Sequence, residues 1–271
     1  MNVRENTVGQ FLEKDLRYLR EFRLLDDDYM TKFFEDNIEC TELLLHIILE
    51  NKDLRVDKVT SQYSIKNLQG RSVRLDVYAQ DRAGKHYNIE VQRSDKGASV
   101  KRARYHSSMI DANSMDTGNE YDRLADTYVI FITEHDVLDD DLPIYHIERI
   151  IRENGKSFAD GSHIIYVNAQ HKEDTPLGRL MQDFACKDPR KMHYLLLAQR
   201  ARYLKEDAKG VATMCKMMED MRNEAAKEKS LSIACRMLAT GKLSYEEIAL
   251  CSDLSVEEVE ALDKESTVRV K

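Results

Sequence analysis

The stretch RSVRLDVYAQDRAGKHYNIEVQR, residues 71–93, leaves this chain few folds to choose from. Val73, Leu75, Val77 and Ala79 alternate with Arg74, Asp76, Tyr78 and Gln80, and Tyr87, Ile89 and Val91 alternate with His86, Asn88, Glu90 and Gln92. A period of two means two strands, each with two unlike faces. Between them Arg82, Ala83 and Gly84 suit a three-residue hairpin loop, with Gly84 where a left-handed residue is wanted. If Asp81 pairs with Lys85, the register sets Asp76 directly opposite Glu90. Directly opposed residues share a face, with Cβ atoms about 5 Å apart. Gln92, two residues beyond Glu90, lies on that face too.

Two opposed carboxylates repel each other unless a cation or a proton sits between them. A divalent, oxygen-seeking ion such as Mg²⁺ is the simplest occupant. The competing reading is a solvated hairpin face carrying incidental acids. Against it stand Leu75, Val77, Ile89 and Val91, which make this a central hairpin covered on both sides. Acids on a covered face need a partner.

A hydrophobic strand with Asp, a tight turn, and Glu-x-Lys on the next strand is the core of the PD-(D/E)XK nuclease superfamily. Leu75-Asp76-Val77 followed by Asn88-Ile89-Glu90-Val91-Gln92 most resembles its recombination-promoting nuclease/transposase branch, where the motif is typically Glu-x-Gln. Asp27, Met30 and Phe34 resemble that family's opening Asp-x-x-Phe-x-x-x-Phe, with Met30 in place of the usual aromatic. Lys101-Arg102-Ala103-Arg104-Tyr105 resembles the basic helix that follows the hairpin. The resemblance covers about residues 20 to 200. It implies an α/β fold: a restriction-endonuclease-like αβββαβ core, its mixed sheet flanked by helices, with a helical C-terminal extension. A nuclease-like domain over residues 1–200 and a helical region over 201–271 are expected.

The resemblance also implies a reaction, phosphodiester hydrolysis of DNA. Asp76, Glu90 and the Val91 carbonyl would hold Mg²⁺ (or Mn²⁺), with Asp76, Glu90 and Gln92 as the catalytic set. Bound there, the ion polarises a phosphate oxygen and activates water. Gln92 stands where the superfamily has lysine, and a glutamine orients by hydrogen bonds but neither carries charge nor takes a proton. Lys101, Arg102 and Arg104 are the DNA-binding candidates. The alternative is a non-catalytic DNA-binding or protein-interaction module that retains the fold.

The formal net charge of −8 does not suit a nonspecific nucleic-acid binder, but the charge is unevenly spread. Arg93, Lys96, Lys101, Arg102 and Arg104 face only Asp95 over residues 93–104. A basic patch beside an acidic metal site is what a phosphodiester requires, although a charge run is also an ordinary solvated face. Five scattered cysteines without a Cys-x-x-Cys pair favour a reducing compartment over a disulfide or zinc framework. No apolar h-region opens the chain and no apolar run reaches membrane-spanning length, so a soluble, cytoplasmic protein without a membrane partner is expected.

Residues 1–25 read as peripheral, with a modest helical pattern. Asp26, Asp27 and Asp28 offer N-capping carboxylates, and Asp27 reads first as a helix cap. If the first helix supplies a further site acid, Glu35, Glu39 and Glu42 are the candidates, and the sequence does not separate them. Strands are expected at 58–65, 128–133 and 163–168, a helix at 99–115 with an apolar stripe of Val100, Ala103 and Ile110, and a strand within the ambiguous 143–152. A turn at 117–119 should end that helix. His86 reads as an ordinary surface histidine. From Pro176 onward the pattern is helical. Residues 244–262 resemble a helix-turn-helix, but Glu257, Glu258 and Glu260 would repel phosphates, which favours a protein contact or structural cap. Self-association through this helical region is a further expectation. No His-Glu-x-x-His, Gly-x-Ser-x-Gly elbow or phosphate-cradling glycine loop competes with the hairpin site.

Overall fold

The computed structural model describes residues 13–68, 70–93, 95–115 and 118–269. Three consecutive antiparallel strands, β1 (Val56–Ile65), β2 (Val73–Asp81) and β3 (His86–Gln92), form one half of the sheet. The central hairpin has the register its turn dictates, Val77 against Ile89 and Gln80 against His86. Gly84 has φ 86°, and Asp81 closes the loop by accepting the N–H groups of Ala83 and Lys85, each at 2.9 Å.

Beyond β3 the pairing turns parallel. β4 (Thr127–Thr133) lies beside β3, and β5 (Ile144–Ile147) and β6 (Ser162–Asn168) complete a six-stranded mixed sheet in the order β1-β2-β3-β4-β6-β5. The nearly unbroken apolar run Tyr128 to Ile132 explains why β4 is interior: all but Tyr128 are fully buried.

Helices flank this sheet. A helix whose described part is residues 13–21 (α1) is followed by α2 (Asp27–Phe34) and α3 (Ile38–Ile48), the last two packing on β1. The crossover from β3 to β4 is α4 (Val100–Ser114), capped by the Ser99 hydroxyl on the Arg102 N–H. Ala103, Met109 and Ile110 of α4 press onto Val129, Phe131 and Tyr166 of the sheet. α5 (Pro176–Ala185) and α6 (Leu195–Glu206) complete this part of the chain.

The chain divides at Val211/Ala212 into two compact units. The second contains most of the 31-residue helix α7 (Ala208–Leu238), then α8 (Tyr245–Ser252) and α9 (Val256–Arg269). Its small core is Ala234, Ile248, Ala249 and Val259. Ser244 and Glu247 form a capping box, and Glu258 pairs with Lys227 at 2.9 Å. The acids of α9 thus serve partly in intramolecular contacts.

Three expectations are corrected. Of the segment expected to be peripheral, residues 1–12 lie outside the described residues, and residues 13–25 are not peripheral: Leu19, Leu24 and Leu25 are buried, and the Leu25 N–H bonds the Phe184 carbonyl at 3.2 Å. Lys205 holds the end of α1 in place, donating to the Phe22 carbonyl at 2.6 Å. Val100 is 59% exposed, because it stands in the first turn of α4, before the helix meets the sheet. His86 is buried rather than superficial; its Nδ1 lies 2.6 Å from the Tyr78 hydroxyl, and burial pushes its pKa down. The covered sheet face leaves no room for a solvated imidazole there. Of the turn expected at 117–119, Thr117 lies outside the described residues.

Candidate active site

At the end of the hairpin away from its turn, the two strands part. The antiparallel pairing runs to Val77 and Ile89 and stops there, one step short of Asp76 and Glu90. Side chains take over the freed backbone groups. The Asp76 N–H donates to Glu90 Oε1 at 3.3 Å, and the Val91 N–H donates to the Asp76 carboxylate. The Gln92 carbonyl accepts the Glu134 N–H on the β4 side at 3.0 Å. Successive residues of a strand point their backbone groups to opposite edges, so the Val91 carbonyl leaves on the edge that faces Asp76.

Asp76 and Glu90 are 6% and 0% exposed, so both acids lie in the covered interior that the apolar neighbours foretold. Glu90 has a cation. Arg102 Nη2 meets its Oε2 at 2.7 Å, and His106 Nδ1 stands 3.5 Å from Oε1. The spacing explains the fit. Residues i and i+2 on a strand are about 7 Å apart, and i and i+4 on a helix about 6 Å. Arg102 and His106 of α4 therefore reach Glu90 and Asn88 of β3, the latter pair at 3.1 Å. Arg102 Nε also donates to His106 Nε2 at 3.3 Å. A further Arg102 bond, 2.7 Å to the Gly97 carbonyl, ties the guanidinium to the loop after β3.

Among the described residues, Asp76 has no such counter-ion. Its Oδ2 is buried without a hydrogen-bond partner among the described residues. Burial first, then the charges of Glu90 and Asp27, push its pKa up to about 9. Asp27 is raised as well, by burial, then by Asp28 and Glu90. The helix-cap reading of Asp27 is thereby corrected: the N-cap of α2 is Asp26, and Asp27, the first helical residue, joins the Asp76–Glu90 electrostatic group. Glu35, Glu39 and Glu42 do not line that groove; Glu42 instead accepts the Val56 N–H at 2.9 Å.

Asp27, Asp76 and Gln92 line a groove of about 1200 Å³ together with Lys101, Arg102 and Arg104. Arg71 and Arg74, which the sequence reading passed over, line the same groove, as do Tyr105 and His106. Lys101, Arg104, Arg71 and Arg74 are exposed, whereas Arg102 is turned inward to Glu90. Arg93 does not belong to this basic rim: it pairs with Asp26 and Glu134. The Lys96 side chain lies outside the described residues. Gly97 stands against the Gln92 side chain: a Cβ there would collide with the Gln92 amide.

Among the described residues, no three His, Cys, Asp or Glu side chains stand in place to hold a metal ion. The donor chemistry nevertheless suits a hard cation. It offers carboxylate oxygens from Asp76 and Glu90, a neighbouring acid in Asp27, a strand-edge carbonyl at Val91, and one buried oxygen of Asp76 without a partner among the described residues. A divalent ion would satisfy that oxygen and displace the proton that burial imposes on Asp76.

Compared with known proteins, residues 28–253 match the family model described as PD-(D/E)XK nuclease family transposase. No curated protein and no solved structure matches the chain.

Proposed function

Because this chain belongs to the PD-(D/E)XK nuclease family transposases, we propose that it is a metal-dependent DNA endonuclease acting in recombination or on mobile elements. The observation that carries the reading is the buried oxygen of Asp76, without a partner among the described residues, beside Glu90 at a groove rimmed with arginine and lysine.

Asp76, Glu90 and the Val91 carbonyl would hold Mg²⁺ or Mn²⁺, which supplies Lewis-acid polarisation of a phosphate oxygen and acidifies bound water. The protein's own groups do the rest. Lys101 and Arg104, with Arg71 and Arg74, grip the backbone phosphates of DNA and hold the scissile bond over the acids. The Gln92 amide, beside Gly97, orients the attacking water through hydrogen bonds; it has no charge to lend and no basic site, so it takes no proton. Arg102 pairs with Glu90 in the covered interior, and its guanidinium stands beside the groove for a phosphate once another cation holds Glu90. The helical region beyond residue 200 serves targeting or self-association rather than chemistry. No described helix is long and apolar enough to cross a membrane, and the proposed place of action is the cytoplasm.

One observation favours the runner-up, a non-catalytic DNA-binding or interaction protein that keeps the fold: the short Arg102–Glu90 pair already neutralises one of the two acids. Metal binding separates the two readings. Calorimetric titration of Mn²⁺ should show one or two sites on the wild type, lost or severely weakened in Asp76→Asn. Equal binding by both proteins, or none by either, would remove the metal-site reading and leave the runner-up.

A further inference from the structure

Next to the groove, four charged side chains close a ring. Arg23 Nη1 donates to Glu134 Oε1 at 2.9 Å, and Arg93 Nε donates to Glu134 Oε2 at 2.9 Å. Arg93 Nη1 reaches Asp26 Oδ1 at 3.0 Å, and Arg23 Nη2 stands 3.5 Å from the same oxygen. The Arg23 N–H adds a bond to Asp26 Oδ2 at 2.7 Å. Arg23, Asp26 and Glu134 are largely covered, at 19%, 17% and 22% side-chain exposure, which shields their mutual attraction from water.

What the ring joins gives it a purpose. Asp26 is the N-cap of α2 and precedes Asp27. Arg93 follows Gln92 at the end of β3, and Glu134 follows the end of β4 while its N–H bonds the Gln92 carbonyl. The ring therefore binds the start of α2, which carries Asp27, to the ends of the two strands beside Glu90 and Gln92. Asp26 makes no side-chain bond within its own helix, so its carboxylate is committed to this tertiary link instead of to capping. Asp27 lines both the groove and a second cavity of about 600 Å³ that Arg23, Asp26 and Arg93 also line. An acid on a helix terminus with open space on two sides needs something to fix its distance from Asp76 and Glu90.

We propose that the Arg23–Asp26–Arg93–Glu134 ring is a positioning device that holds Asp27 in the groove beside Asp76 and Glu90, where its charge raises the affinity of that pair for a divalent ion. The inference rests on the metal-site reading above. Arg93 is the sensitive member because its planar guanidinium engages two carboxylates from two elements at once, which a lysine cannot do. It is also 57% exposed, so its pairs add little to global stability. A positioning residue of this kind acts on affinity: loss of a partner outside the coordinating set weakens metal binding about 10–100-fold.

The test is a double-mutant cycle read by calorimetric Mn²⁺ titration of the full chain, with thermal unfolding in EDTA as the control for folding. Arg93→Gln should weaken Mn²⁺ binding about tenfold while the unfolding temperature in EDTA stays within about 2 °C. In an Asp27→Asn background the same change should cost nothing further, because the group being positioned is gone. Glu134→Gln should reproduce the pattern, and Arg93→Lys should recover only part of the affinity. Wild-type affinity in Arg93→Gln, or an undiminished loss in the Asp27→Asn background, would overturn the proposal. If Mn²⁺ binding depends on Asp76 yet ignores Arg93, the ring alone is refuted. If the wild type binds no Mn²⁺ at all, both the ring proposal and the metal-site reading fall.

Discussion

Replacing Arg102 with alanine strips Glu90 of its nearest cation and leaves a carboxylate that is 0% exposed. Breaking a buried ion pair by removing one partner costs about 3–5 kcal/mol, because the remaining charge is left uncompensated. Two features lower this figure here. Arg102 is itself one-third exposed, so truncating it admits water from the groove, and His106 still stands 3.5 Å from Glu90. A loss of about 2–3 kcal/mol is expected. In a folded unit of about 200 residues that lowers the unfolding temperature by roughly 5–10 °C.

Thermal unfolding at pH 8 in EDTA, followed by circular dichroism, measures the loss. Adding Glu90→Gln to Arg102→Ala should restore most of the loss, and Mn²⁺ should stabilise Arg102→Ala more than wild type. If Arg102→Ala unfolds at the wild-type temperature at pH 8 in EDTA, the description of Glu90 as a buried acid balanced by Arg102 is wrong.

Asp76 makes the pH dependence of the metal-free protein unusual. Its folded pKa lies above the unfolded value, so the stability it contributes is present below about pH 4 and is lost as pH rises toward about 9. Metal-free unfolding temperatures of wild type should accordingly fall across that range more steeply than those of Asp76→Asn, and Mn²⁺ affinity should rise about tenfold per pH unit below 9. Replacing Lys101 and Arg104 together with alanine should weaken DNA binding and lower the slope of log affinity against log salt by about 2; an unaltered slope would return both to a solvated rim. Gln92→Lys should preserve metal-dependent cleavage and raise it at low Mg²⁺, since an ammonium stabilises developing charge that an amide cannot. Gly97→Ala should behave like Gln92→Ala, because the added methyl displaces the Gln92 amide; wild-type rates from both would make Gln92 a bystander.

How much of this was legible in the chain depends on how local the determinants are. The hairpin is local: a Gly84 loop and two period-two runs fix the register from Gln80–His86 to Val77–Ile89, which brings Asp76 and Glu90 near each other just past the last pair, although the two do not pair directly. The burial of β4 is likewise written in its unbroken apolar run. The missed features depend on partners distant in sequence. Asp27 reads as a cap because nothing nearby shows that the start of α2 will be tied to Arg93 and Glu134, 67 and 111 residues from their respective partners. Arg102 reads as a free phosphate ligand because a basic helix face looks the same with or without a buried acid beneath it. Its spacing to His106, matched to Asn88 and Glu90 on the facing strand, is the one sequence signal that could have revealed the pairing. His86 was misplaced for a similar reason: its tyrosine partner lies across the hairpin on a face that a distant helix covers.

The central claim is that Asp76 and Glu90 form the metal-dependent cleavage centre of a DNA endonuclease. Conversion of supercoiled plasmid to nicked and linear forms by rigorously purified protein tests it most directly, with wild type and Glu90→Ala compared in Mg²⁺, Mn²⁺ and EDTA. The account predicts cleavage by wild type that requires the divalent ion and is abolished in Glu90→Ala, while that variant still unfolds cooperatively in EDTA. Cleavage undiminished in Glu90→Ala, or none by wild type with either ion, would contradict it.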